Sequence, residues 1–304
     1  MTRVAFLGSP EAAVPTLTTL AAAFDVVQVI TQPDRPKGRS KTPAPTPVKT
    51  AALELGMPVS VPGDADALRQ ALTEVAPLDL AVVVAYGRLL RPEVLEVPKL
   101  GFLNVHFSLL PRWRGAAPVA RALMTGDTMT GVTVIRLDEG LDTGPVLTAQ
   151  GVDIRPDETR GELTTRLAGL GARLVVNVIP DYTSGIMEPV DQSDEGLTYA
   201  SKLESSDRPI RIDWTAAEAV NRVRGLSPEP AATLVIDGQT TQVIRARPNG
   251  SVPEPGRWVA VDDRLVAGFA DGGVELVEIR PAGKKTMTGA AWLRGRDRQT
   301  GVLG

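Results

Sequence analysis

The chain has 304 residues, 43% hydrophobic and 23% charged, with a formal net charge of −3, which is the balance of a globular protein able to bury one large core or two smaller ones. It contains no cysteine and a single histidine, His106, which excludes a disulfide framework, thiolate ligation and the usual histidine-rich zinc site. No run of about twenty apolar residues occurs and the first residues lack a secretory apolar core, so we expect a cytoplasmic protein without membrane contact. We also expect a monomer and no bound metal.

The elements predicted in chain order begin with "VAFLG" (residues 4–8), a buried-strand pattern, followed by "PEAAVPTLTTLAAA", a helix entered through a proline-containing first turn. "VVQVIT" (26–31), "LDLAVVVAY" (78–86) and "GFLNVH" (101–106) read as further strands, with helical patterns at 47–55 and 64–75 between them. Continuous Val, Ile and Leu strands separated by helices predict a doubly wound, mostly parallel α/β sheet covered on both faces. Residues 131–152 read as two strands joined by a glycine-containing loop. A long helix follows, with Thr159 and Glu162 as a capping box and Leu163, Leu167, Leu170, Leu174 and Val178 at helical spacing.

From about Gly185 the pattern dissolves into polar and turn-forming residues. We expect a first domain over residues 1–189, a linker over 190–208 and a second domain over 209–304. After a short helix near 215–224 the second domain shows several short strands, with Asp-Gly and Asp-Asp at hairpin positions, the signature of a small β-barrel or sandwich, of which we expect the barrel. Residues 205–304 carry 14 Lys/Arg against 12 Asp/Glu, whereas the preceding part is acidic. The basic loop "TQPDRPKGRSKTPAPTPVK" (31–49) stands out in that acidic part, with five Lys/Arg against one Asp. Such segregation suits an anionic partner.

Ligands of open parallel sheets bind outside the carboxyl ends of the strands, and "GFLNVHF" places Asn104 and His106 at such an end. In an extended strand, residues i and i+2 share a face, so an amide donor and an imidazole project into one crevice. A third polar group comes from "DEGLDTGP", where Asp138, Glu139 and Asp142 sit in a glycine-bracketed turn. They fit equally as turn formers or as a carboxylate that orients the imidazole and acts as a base. Near the N-terminus, "FLGSPEAAVP" offers only Gly8 where a dinucleotide fingerprint requires three glycines, so no nicotinamide cofactor is expected.

The stretch "NVHFSLLPRWRGAAP", followed by "GLDTGP" and accompanied by "TQPDRPKGR", "VVVAYGRLL" and "RPAGKK", resembles the 10-formyltetrahydrofolate-dependent formyltransferases, in particular the methionyl-tRNA branch, over essentially the whole chain. Phe107 departs from the family pattern, which frequently has glycine or proline there. The resemblance implies formyl transfer from 10-formyltetrahydrofolate to the amino group of methionyl initiator tRNA, with Asn104 and His106 as donors to the oxygen that gathers charge and Asp142 as proton relay. It further implies a folate slot formed by Ser108, Leu109, Leu110 and Pro111, by Val84, Tyr86, Gly87 and Arg88, and by the loop containing Asp138. Arg35, Lys37, Arg39 and Lys41, with Lys284 and Lys285 of the barrel, are the expected phosphate contacts. A hydrolase or sugar-amine formyltransferase shares the Asn-His-Asp set without needing the basic loop, and a noncatalytic RNA-binding module needs none of that set.

Overall fold

The computed structural model describes residues 1–36 and 42–304. By their contacts these form two compact units, one from 1–116, 131–152 and 164–200, the other from 117–130, 153–163 and 201–304.

The first unit is built on a seven-stranded sheet. Its strands in chain order are β1 (Arg3–Gly8), β2 (Asp25–Ile30), β3 (Val59–Ser60), β4 (Leu80–Val84), β5 (Phe102–His106), β6 (Met129–Arg136) and β7 (Val146–Asp153). Their spatial order is β7-β6-β5-β4-β1-β2-β3. The pairs β1–β2, β1–β4, β2–β3 and β4–β5 are parallel, and β6 runs antiparallel to β5. All of β4 and β5 is buried, which is why β4 reads as an uninterrupted apolar run with no period of two, whereas β5 carries Asn104 and His106 between its apolar residues. The helices are α1 (Val14–Ala23), α2 (Pro47–Glu54), α3 (Ala65–Thr73), the single turn α4 (Pro92–Leu95), α5 (Pro118–Thr125, of the second unit) and α6 (Arg160–Thr183). Thr46 and Asp64 cap α2 and α3 through their side chains, and the predicted Thr159–Glu162 box is present at the start of α6. Along β5 the side chains alternate. Val105 faces α6, where a side chain at Gly171 would collide with it, and Phe107 packs against the same glycine. Asn104 and His106 therefore take the other face.

The sequence reading gave no helix over 118–125. Pro118 at the first turn and left-handed Gly126 at the carboxyl end are its boundary signals. In the second unit α7 (Ala216–Leu226) packs on α5, and a β-carbon at Gly225 would meet Met124 and Ala120. The strands β8 (Ala232–Ile236), β9 (Gln239–Asn249), β10 (Arg257–Val261), β11 (Arg264–Gly268), β12 (Gly273–Pro281) and β13 (Thr300–Val302) lie in the order β8-β9-β12-β11-β10-β13. An antiparallel bridge between Ile236 and Leu303 joins the first strand to the end of the last, curling the sheet into a barrel. Both predicted hairpins are tight two-residue turns. Asp237-Gly238 has φ of 49° and 77°, and Asp262-Asp263 has 47° and 61°, the left-handed pair that matches strand twist. Inside, Trp258 meets Trp292 edge to face at 5.1 Å, and helix α8 (Gly289–Arg294) contributes the latter. Among the described residues no helix is long and apolar enough to cross a membrane.

Candidate active site

The carboxyl end of β5 and the loop between β6 and β7 bring the three predicted side chains together. Asn104 Nδ2 donates to Asp142 Oδ1 at 3.3 Å, and His106 Nδ1 lies 3.6 Å from Asp142 Oδ2. The latter distance is too long for a hydrogen bond. His106 Nε2 is 2.9 Å from the carbonyl oxygen of Trp113. A carbonyl can only accept, so Nε2 carries hydrogen and is committed to the fold. Nδ1 is then the ring atom left for chemistry, and it faces the carboxylate. The imidazole is 6% exposed and Asn104 9%, so both act where water screens little. The amide of Asn104 keeps a second N–H beyond the one given to Asp142.

Asp142 is held from several sides. Its backbone is left-handed, with φ 55°, a conformation that needs support from its surroundings. The Gly115 N–H donates to Oδ2 at 2.8 Å, and Gln192 Nε2 donates to the Asp142 carbonyl at 2.8 Å. Neither partner was anticipated from sequence. A backbone N–H leaves no residue-type signal, and Gln192 stands in the polar stretch expected to be a linker. Trp113, whose carbonyl orients the imidazole, is itself left-handed, with φ 65°.

The four residues after Phe107 fold back on β6. Ser108 is fully buried, its hydroxyl donating to the Arg112 carbonyl at 2.6 Å while its own carbonyl accepts from Thr133 Oγ1 at 2.7 Å. Leu110 N–H donates to the same Thr133 oxygen at 3.1 Å, and Leu109 covers Gly131, where a β-carbon would strike it. Ser108 and Leu109 are thus engaged in shaping the turn, and Leu109, Leu110 and Pro111 are all partly exposed. After β4, Ala85 and Gly87 are both left-handed, at φ 48° and 82°, and this bend turns Tyr86 inward next to buried Val84 and leaves Gly87 exposed. Arg88 Nη1 donates to the carbonyls of Pro62 and Gly63 at 3.0 Å each. The Tyr86 hydroxyl is buried with no hydrogen-bond partner among the described residues, in an apolar cluster that includes Val94 and Phe102 with Leu90 and Leu137 packed on it. Burial raises its pKa above the ordinary phenol value. Asp138 is exposed, and its carboxylate accepts from Gly140 N–H at 3.0 Å and Thr143 Oγ1 at 2.7 Å, the arrangement of a turn former.

Of the expected phosphate contacts, Arg35 is exposed in a two-residue strand (Arg35–Pro36) paired with Pro43–Ala44, and Lys284 and Lys285 are exposed in the loop after β12. Lys37, Arg39 and Lys41 lie outside the described residues. Lys49, from the same basic stretch, is occupied by Asp34 at 2.8 Å.

Compared with known proteins, residues 2–179 match a family described as formyl transferase, and residues 202–297 match the formyl transferase C-terminal domain. The chain is 44% identical to the methionyl-tRNA formyltransferase of Parvibaculum lavamentivorans, an alignment covering 96% of both chains. It is 42% identical to that of Cutibacterium acnes over 99% of both. Among solved structures it resembles an N-formyltransferase from Helicobacter canadensis, in complex with folinic acid and a deoxythymidine diphosphate aminosugar, at a TM-score of 0.71 and 18% identity, covering 92% of this chain and all of that one. HypX from Aquifex aeolicus in complex with tetrahydrofolic acid gives 0.65 and 19%, over 96% of this chain and 46% of that one. At these identities the last two speak to the fold.

Proposed function

The chain belongs to the formyl transferase family, and we propose from that footing that it formylates the amino group of methionyl initiator tRNA, with a folate, 10-formyltetrahydrofolate, as the donor. Sequence identity of 44% to a methionyl-tRNA formyltransferase over nearly the full length of both chains carries the reading, because it spans the barrel as well as the sheet. The residue roles below are our assignment.

The cosubstrate supplies the formyl carbon. As the amine adds to that carbon, negative charge gathers on the carbonyl oxygen, and donors aimed there in advance lower the barrier. The second N–H of Asn104 and the uncommitted Nδ1 side of the His106 ring are the groups that the local hydrogen bonding leaves available to that oxygen. Asp142 Oδ2, beside Nδ1, takes up the proton that the amine sheds and returns it through the imidazole or water toward the departing nitrogen. No nucleophilic side chain is needed. Leu110 and Pro111, the Val84 to Arg88 bend and the loop from Asp138 to Asp142 form the folate slot, with Ser108 and Leu109 setting its shape. Arg35, Lys37, Arg39 and Lys41, together with Lys284 and Lys285, provide positive charge for RNA phosphates, residues 1–189 carrying the chemistry and 209–304 aiding RNA retention.

The test is to incubate the purified protein with 10-formyltetrahydrofolate and charged initiator tRNA and to analyse the esterified amino acid. Formylmethionine is the expected product. Its absence, with formate release or sugar-amine formylation in its place, overturns the assignment.

A further inference from the structure

We propose that Gln192 is a positioning residue for Asp142, oriented in its turn by Arg114, so that residues 190–200 form part of the formyl-transfer site. The inference rests on the function proposed above and adds to it a residue with no contact to the reacting atoms.

Asp142 has a left-handed backbone, φ 55°, which aspartate tolerates at a cost, so the aim of its carboxylate depends on what ties down the turn. Gln192 does this on the backbone side. Its Nε2 donates at once to the carbonyls of Asp142 and Gly144, at 2.8 and 2.7 Å, gripping both sides of the turn that aims the carboxylate. Its Oε1 accepts from Arg114 Nε at 3.0 Å and Nη2 at 2.8 Å. The orientation of this amide follows from its partners, because a guanidinium only donates and a carbonyl only accepts. A flipped amide would face donors with donors and acceptors with an acceptor. The Arg114 fork therefore selects the one rotamer in which Gln192 can hold the turn.

The same strip of chain is pinned over the site at its other end. Trp113 N–H donates to Thr198 Oγ1 at 2.9 Å, Arg114 N–H donates to the Thr198 carbonyl at 2.9 Å, and Tyr199–Ala200 pairs in parallel with Arg114–Gly115. Gly115 lies so close to the Ala200 carbonyl that a β-carbon there would be 2.8 Å from it. Gly115 in turn gives its N–H to Asp142 Oδ2. One segment, 113–115, thus fixes His106 through the Trp113 carbonyl, the Asp142 carboxylate through Gly115, and the Asp142 backbone through Arg114 and Gln192. Without the last of these the carboxylate keeps its chemistry but loses its aim.

The experiment compares Gln192→Ala and Gln192→Glu with the unsubstituted protein in the methionyl-tRNA formylation assay, together with melting temperature. Gln192→Glu decides between aim and mere packing, because it keeps the length and the Arg114 pairing while putting an oxygen where two carbonyls need a donor. Both variants are expected to lose about 10- to 100-fold in kcat, the range for a misplaced catalytic group. KM for both substrates should stay within about twofold and the melting temperature should change little. Adding Arg114→Lys to Gln192→Ala should cost no further rate, since both act through one tether. Wild-type kcat in Gln192→Glu, or losses that multiply in the double variant, overturns the inference. An unsubstituted protein that makes no formylmethionine refutes the function instead, and the two failures are told apart by that control.

Discussion

The end of β5 and the loop after β12 hold the two kinds of polar residue to which we assign a function, and they differ in how they are held. Asn104, His106 and Asp142 are nearly buried; Asn104 donates to Asp142 at 3.3 Å, and His106 and Asp142 are tied to Trp113, Gly115 and Gln192 at 2.8 to 2.9 Å. Lys284 and Lys285 stand exposed, as does Arg35 in the first unit. Transition-state charge is stabilised by groups whose position is fixed before the reaction, in surroundings that exclude water. Phosphate attraction needs charge of the right sign and is weakened by salt. Substitutions in the first region should therefore strike kcat, and those in the second the dependence on tRNA and on ionic strength.

The sharpest way to break this contrast is His106→Ala, for which a fall in kcat of at least about 10²-fold is expected, with tRNA affinity unchanged in a binding assay. A loss confined to tRNA affinity would erase the distinction. Gly115→Ala probes the supports of the site. Its φ of 120° and the Ala200 carbonyl leave no room for a methyl group, so a stability loss of about 1–3 kcal/mol should accompany a lower kcat, seen in a denaturant melt and the formylation assay. In Lys284→Ala and Lys285→Ala, each should reduce the slope of log affinity against log salt by about 1 and leave kcat at saturating tRNA intact. An unchanged slope would remove these lysines from the RNA surface.

The smallest effect is expected at Glu162, an exposed charge that is nevertheless held. Its carboxyl is pulled down to about 2, first by the Thr159 N–H and then by the Thr159 hydroxyl and Arg245, against the opposing effect of burial. A depressed carboxyl stabilises the fold above its unfolded pKa, and that contribution fades as pH falls from about 4.5 to 2. Because the side chain is half exposed, solvent reduces the gain to about 1 kcal/mol. Glu162→Gln should melt earlier than the unsubstituted protein at pH 7, and the two melting curves should converge near pH 2. A gap that widens on acidification would contradict the capping role.

The sheet was legible because β4 is buried on both faces, which forces a continuous apolar run, and because alternation along β5 separates Asn104 and His106 from Val105. The two barrel turns were legible because Asp237-Gly238 and Asp262-Asp263 supply residues that tolerate the left-handed backbone a hairpin requires. Asp142 was less so. Residue type alone made it one of three acids in a loop, and what distinguishes it from Asp138 is that its carboxylate meets Asn104 and Gly115, whereas that of Asp138 closes its own turn. Gln192 could not be found from pattern, since its contacts join positions 48 to 78 residues apart and its neighbours have a linker's composition. The short helix α5 was within reach through Pro118 and Gly126, but its eight residues carry too little periodicity to stand out.

Single-turnover formyl transfer from 10-formyltetrahydrofolate to methionyl initiator tRNA, run at saturating enzyme on Asn104→Ala, His106→Ala, Asp142→Ala and the triple variant, tests most directly whether these side chains act together. Each single variant should lose about 100-fold or more, and the triple variant should be little slower than the worst single one, as expected of groups that work as a unit. Full-rate transfer by any single variant, or losses that multiply across all three, would contradict a shared site at the end of β5.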